Sequence, residues 1–186
     1  MSTALDEYEV PFVSGAAAGV IAWLVGYVLT YAATAGSIRN SLIGQLLQNS
    51  DAGGVWQAVG LVFYNAHFVD TIVNAGFFGS SATNFIGGDD GFTVALYAIP
   101  ALALLLAGLL VAFRSNARDP ASGAKSGVTV AIGYAVLAVV GVFVMQIGSG
   151  SPSAKPDVVT GIVLAGVIYP VVFGAVGGAV GGVVGD

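Results

Sequence analysis

A chain of 186 residues that is 56% hydrophobic and 8% charged is not a water-soluble domain, which needs roughly a quarter of its residues charged. Ten Asp and Glu against five Lys and Arg leave a net charge of −5 and no basic cluster, which excludes a nucleic-acid partner. The mean hydropathy of +0.91 excludes disorder, and the absence of cysteine excludes a disulfide-stapled module. What remains is an all-α integral membrane protein built as one membrane domain over residues 1–186.

Residues 1–10 are polar and acidic (Asp6, Glu7, Glu9) and lack the basic start and small-residue cleavage site of a signal peptide. The apolar stretch 11–35 is too long for a signal segment and is predicted to stay as the first spanning helix, with Pro11 at a tolerated early position. Within 36–48, Ile38, Leu42, Ile43, Leu46 and Leu47 share one helical face opposite Arg39, Gln45 and Gln48, the pattern of a short helix lying on a bilayer surface. Residues 51–54 break it.

The stretch 55–78 has the length of a span but carries Gln57, Asn65, His67, Asp70 and Asn74. An Asp at mid-membrane depth costs about 2.5–3.5 kcal/mol on insertion scales, and amides and His add to that. The favoured prediction therefore keeps 36–91 outside as a helical cap on the bundle's outer end, with its polar stripe wet. A fifth span with the stripe lining a cavity is the alternative.

Three further stretches, 92–113, 127–147 and 158–184, are long enough to cross and must be helical, because an open strand in lipid leaves its backbone groups unpaired. The result is a four-helix transmembrane bundle. Loop 114–126 holds Arg114, Arg118 and Lys125, three of the five basic residues, which puts that loop and the C-terminus in the cytoplasm and 36–91 outside a cell membrane.

Glycine supplies the most specific pattern. Gly174, Gly178 and Gly182 form one series spaced by four, Gly177, Gly181 and Gly185 a second, and Gly15, Gly19 and Gly26 start a similar stripe on the first helix. Small residues let helix backbones approach closely, so these nine are assigned to helix packing, with the first and last helices as the expected pair. Pro100 and Pro170 lie in apolar helices and predict kinks.

His67 is the only histidine, and Asp70 follows at helical i, i+3 spacing. Together with Asn65 and Asn74 they make the one candidate polar site. A single His and Asp without cysteine do not complete a metal or haem site, so no cofactor or metal is expected. No Gly-x-Ser-x-Gly elbow, Walker loop, His-Glu-x-x-His or dinucleotide fingerprint is present, and no enzyme activity is predicted.

The runs Phe-Tyr-Asn-Ala-His-Phe-Val-Asp-Thr at 63–71, Gly-Tyr-Val-Leu-Thr-Tyr at 26–31 and Tyr-Pro-Val-Val-Phe-Gly at 169–174 resemble a family of small, uncharacterised haloarchaeal membrane proteins, some of which carry the label transporter. The resemblance implies a salt-adapted archaeal membrane, in keeping with the acidic, lysine-poor loops, and it carries over no catalytic residues. Two functions follow. One is a structural or accessory membrane subunit that packs with lipids, with itself as a homo-oligomer, or with partner membrane proteins. The other is a small oligomeric transporter or channel for an unidentified solute, resting on the kinked helices and the polar stripe.

Overall fold

The computed structural model describes residues 10–41, 44–45 and 53–185. Four of its helices are long and apolar enough to cross a membrane: α1 (Phe12–Asn40), α3 (Val94–Arg114), α4 (Pro120–Val144) and α5 (Val158–Val184). A shorter helix, α2 (Val55–Asn65), follows α1. A three-stranded antiparallel sheet of β1 (Thr71–Asn74), β2 (Ser80–Thr83) and β3 (Ser153–Pro156) is ordered β2-β1-β3.

Each boundary has a local cause. Asp119 caps α4 by accepting from the Ala121 and Ser122 N–H groups at 2.9 and 3.0 Å, and Pro120 takes the first helical position, where a missing N–H is harmless. The helix therefore starts at Pro120, ahead of the Gly127 that hydropathy suggests. Asp157 caps α5 through the Thr160 N–H at 2.8 Å, and the Thr160 backbone and hydroxyl together hold its carboxyl below the usual carboxylate range. At the other end of the chain's first span, α1 runs on to Asn40, so Ile38 and Arg39 belong to that helix and not to a separate surface helix. The remaining apolar positions of that expected helix (Leu42, Ile43, Leu46, Leu47) lie outside the described residues, as do Asp6, Glu7 and Glu9.

The two prolines sit in different settings. Pro100 lies in the first turn of the α-helical part Ala98–Arg114, after a 3-10 turn at Val94–Tyr97, so it marks a helix start. Pro170 follows a wide π-helical stretch, Gly161–Ile168, in which the Tyr169 N–H reaches back to the Leu164 carbonyl. In a regular α-helix the Pro170 ring would collide with the carbonyl four residues earlier; the wider turn removes that collision.

The bundle is apolar on its outside as well as in its core. Its outer faces carry large apolar side chains such as Leu24, Val28, Leu106, Leu110, Val136 and Val176, all exposed. The closest approaches between its helices are made by small residues. On α5, Gly174 and Gly178 back onto Gly127 and Gly123 of α4, while Gly177 and Gly181 back onto Leu105 and Leu109 of α3. The two glycine series thus serve two different neighbours, with Gly182 against Asp119 and Gly185 near Ala117. On α1, Gly15 and Gly19 meet Thr129, Val130 and Tyr134 of α4, and Gly26 makes room for the Phe63 ring of α2. The first and last helices are therefore not each other's partners. α4 stands between them, because its own Gly123, Gly127 and Gly133 give it a close-approach surface on both sides.

Of the expected cap 36–91, residues 42–43 and 46–52 lie outside the described residues; within 55–78 the helix is only Val55–Asn65, too short for a fifth span and too buried for a wet surface helix. α2 packs into the bundle, with its residues 59–65 buried, and the chain returns through the β1–β2 hairpin.

Candidate functional site

α2 enters the bundle beside α1 and α4 and is fixed along its whole length. At its start the Gln57 side chain accepts from the Gly54 N–H and donates to the Gln146 carbonyl at 3.0 Å. In the same turn, the Tyr27 hydroxyl donates to the Trp56 carbonyl at 2.9 Å. Near its end the Tyr64 hydroxyl donates to the Ala138 carbonyl of α4. Two apolar clusters enclose it. Phe63 and Tyr64 join Trp23, Tyr134 and Val142, and Val59, Val62 and Ala66 join Ala35, Ile38 and Leu96. A helix apolar nearly all round belongs in an interior, and this one is in it.

The helix ends in a turn whose bonds define a Schellman motif: the Phe68 N–H reaches the Asn65 carbonyl at 2.9 Å and the Val69 N–H the Tyr64 carbonyl at 3.2 Å. The position that normally takes glycine, because its backbone is left-handed, is Phe68 at φ 59°. Its exposed ring stacks on Tyr97, with centroids 4.3 Å apart and planes 7° from parallel.

His67 sits in this turn, fully buried. Its Nδ1 is 2.7 Å from the Phe63 carbonyl and its Nε2 is 2.7 Å from the Tyr134 hydroxyl. A carbonyl only accepts, so Nδ1 carries the hydrogen; a buried ring with no carboxylate beside it is favoured neutral, and in that form Nε2 accepts from the tyrosine hydroxyl. Phe63 meets the ring edge-on at 4.8 Å between centroids and Tyr169 lies at 4.9 Å. Tyr134 is about ten residues from the Val144 end of α4, and Tyr169 about eleven from the Val158 end of α5. At about 1.5 Å per residue, His67 lies about 15 Å down the bundle, near the middle of its apolar length.

The other predicted polar residues divide. Asn65 is buried and ties three segments together: its Nδ2 donates to the Val69 carbonyl at 2.8 Å and to Thr71 Oγ1 at 3.2 Å, and its Oδ1 accepts from the Phe85 N–H at 3.0 Å. Asp70 is exposed, its carboxylate outside the His67 network, while its backbone carbonyl accepts from the Asp157 N–H at 2.9 Å. Asn74 is on the hairpin, where its Oδ1 accepts from the Gly76 N–H at 2.9 Å. The i, i+3 pairing of His67 with Asp70 fails because the helix stops at Asn65, so the two residues share no helical face.

The residues that do surround His67 are Phe63, Tyr134 and Tyr169, from three separate helices. All three are visible in the sequence as aromatic residues in apolar stretches, and nothing in the sequence pairs them with His67. Among the described residues no group of three or more His, Cys, Asp and Glu could hold a metal, and no buried side-chain nitrogen or oxygen lacks a hydrogen-bond partner. With both ring nitrogens engaged, His67 can coordinate a ligand only by giving up one of its bonds. Chemically the site is a closed polar knot inside an aromatic shell, suited to locking α2 against α4 and α5.

No curated protein and no solved structure matches the chain. A family model does match it over residues 1–185, nearly end to end, and the chain belongs to DUF7978, a family of unknown function.

Proposed function

We propose that the protein is a multi-pass membrane protein with a structural or accessory role, whose bundle is a filled scaffold and not a conduit. The observation that carries this reading is the satisfied interior. At mid-depth, where a path for ions or polar solutes needs amide or ionisable groups open to water, aromatic rings fill the space, and the polar atoms among them bond within the chain. The apolar exterior of α1, α3, α4 and α5 supports burial in lipid, and the small-residue seams between helices are the packing that lipid favours. In that setting α2 is a re-entrant helix, tolerated at depth because protein surrounds it. Its partners are membrane lipids and a second copy or another membrane protein; no enzyme chemistry and no cofactor enters the reading. The haloarchaeal resemblance and the net charge of −5 support a salt-adapted cell membrane.

Arg114, Arg118 and Lys125 at one end favour a cytoplasmic loop and C-terminus, with the sheet outside. The chain has no cysteine, so single reporters are clean. In intact cells Ser81→Cys on β2 reacts with a membrane-impermeant maleimide, and Ala121→Cys reacts only after permeabilisation; the reverse pattern inverts the orientation.

Reconstitution into liposomes tests the scaffold reading directly. Vesicles containing the protein leak protons, potassium and small polar solutes no faster than protein-free vesicles. Flux of any of these that scales with protein content and is lost in Tyr134→Phe or His67→Ala overturns it in favour of a transporter or channel.

A further inference from the structure

The three strands leave one sheet face turned away from the bundle. Side chains alternate along a strand, and the register sets Asn74 opposite Ser80 on one side and opposite Ser153 on the other, while Ile72 pairs with Lys155. Ser80, Asn74 and Ser153 therefore form a row across one face, with Lys155 on the same face one pair further along. The opposite face carries Thr71 and Pro156, both buried toward the helices. The loop 146–150, fastened to β3 by the Ile147–Ala154 backbone pair at 2.8 and 2.9 Å, borders a half-open cleft of about 520 Å³ with the outward face.

The lining of that cleft is donor-rich. Lys155 contributes the ammonium and makes no ion pair among the described residues. Asn74 spends its Oδ1 on the Gly76 N–H and so keeps its Nδ2 hydrogens for a ligand. Ser80, Ser149 and Ser153 add hydroxyls, Gln146 an amide, and no carboxylate lines the space. On a chain of net charge −5, a concavity with a single unneutralised cation and no acid is a local reversal of sign.

We propose that this cleft binds a phosphate-class oxyanion, with Lys155 supplying the charge and the Ser80–Asn74–Ser153 row the hydrogen bonds. The anion is the phosphate of a lipid headgroup or free phosphate; the chemistry recognised is the same. The proposal is independent of whether the bundle conducts, because the cleft is lined by the sheet and the loop 146–150 and not by the helix interior.

Calorimetric titration of the full-length chain in maltoside micelles, which carry no phosphate, tests it. Ionic strength is held constant with chloride, so that screening does not change along the titration. The probes are inorganic phosphate and dihexanoyl-phosphatidylglycerol below its micellar concentration. Saturable binding is expected, and Lys155→Met weakens it about tenfold or more, the range for removing a charged hydrogen-bond partner. Ser153→Ala weakens it less, and Lys125→Met at the other end of the bundle leaves it unchanged. Unaltered thermal unfolding of Lys155→Met shows that the exposed substitution spares the fold. Binding of both probes identifies a free-anion site, and binding of the lipid alone identifies a headgroup site. Binding of neither probe, or binding that Lys155→Met leaves intact, overturns the proposal.

Discussion

Gly178→Ala destabilises the folded protein by about 3 kcal/mol or more, read as an earlier midpoint in an SDS titration from mixed micelles. A methyl group at Gly178 falls far inside van der Waals contact with the Gly123 carbonyl oxygen and 2.8 Å from the Gly127 Cα. Both obstacles are backbone, so no side chain can rotate away and the two helices must separate. Separation forfeits dispersion contacts along the whole seam, since a gap of even about 0.5–1 Å loses a quarter to a half of each contact's attraction. Gly36 supplies the control within the same chain. It lies in α1, and a methyl group there meets nothing within 4 Å, so Gly36→Ala stabilises by about 0.5–1 kcal/mol through helix propensity alone. Equal effects at the two positions would show that glycine content, and not the α4–α5 seam, governs stability.

His67→Ala costs about 3–5 kcal/mol, because it opens a cavity in a close-packed aromatic shell and leaves the Tyr134 hydroxyl and the Phe63 carbonyl without their partner. Tyr134→Phe alone costs about 1–3 kcal/mol by stranding Nε2 of the histidine. The pair is non-additive. With His67 already gone, removing the Tyr134 hydroxyl relieves an unpaired buried group, so the double variant is no less stable than His67→Ala itself. Strict additivity in the same SDS titration would mean that the 2.7 Å contact contributes nothing to holding α2 in place. Asp70→Asn is the matched surface change: the carboxylate is exposed and outside the network, so its effect stays within about 0.5 kcal/mol.

The four long helices are legible from hydropathy because their outward faces are uniformly apolar, and length alone separates them from strands. The glycine series are legible too, since spacing by four survives any choice of neighbour. Their partners are not. The receiving surface on α4 is Gly123, Gly127 and Gly133, spread over a stretch whose start looks like a polar loop until the Asp119–Pro120 cap is recognised as a helix beginning.

The greatest departure concerns 55–78. Counting its length as one segment hides a helix, a turn and a strand, and the usual punctuation is missing because the left-handed position is occupied by Phe68 and not by glycine. The cost assigned to His67 and Asn65 at depth presumes lipid or unsatisfied surroundings. A hydroxyl from Tyr134 and backbone groups from Phe63, Val69 and Phe85 remove that cost, and most of these lie far away in sequence or beyond the turn. Asp70, the residue that weighs most against burial, escapes it by lying past the turn. The sheet is hidden from the sequence for a related reason. Thr71–Asn74 is only four residues long and pairs along one edge with Ser153–Pro156, from the far side of two helices.

That last pairing sets when the sheet can close. β1 is synthesised early, but one of its two neighbours emerges only after α3 and α4 are complete, and Tyr169, which closes the shell around His67, comes later still. Until Tyr134 of α4 has been made, Nε2 of His67 lacks its partner, whereas Asn65 finds all of its own within residues 69–85. The three-stranded sheet and the aromatic shell around His67 can therefore be complete only once the chain has been made through Tyr169.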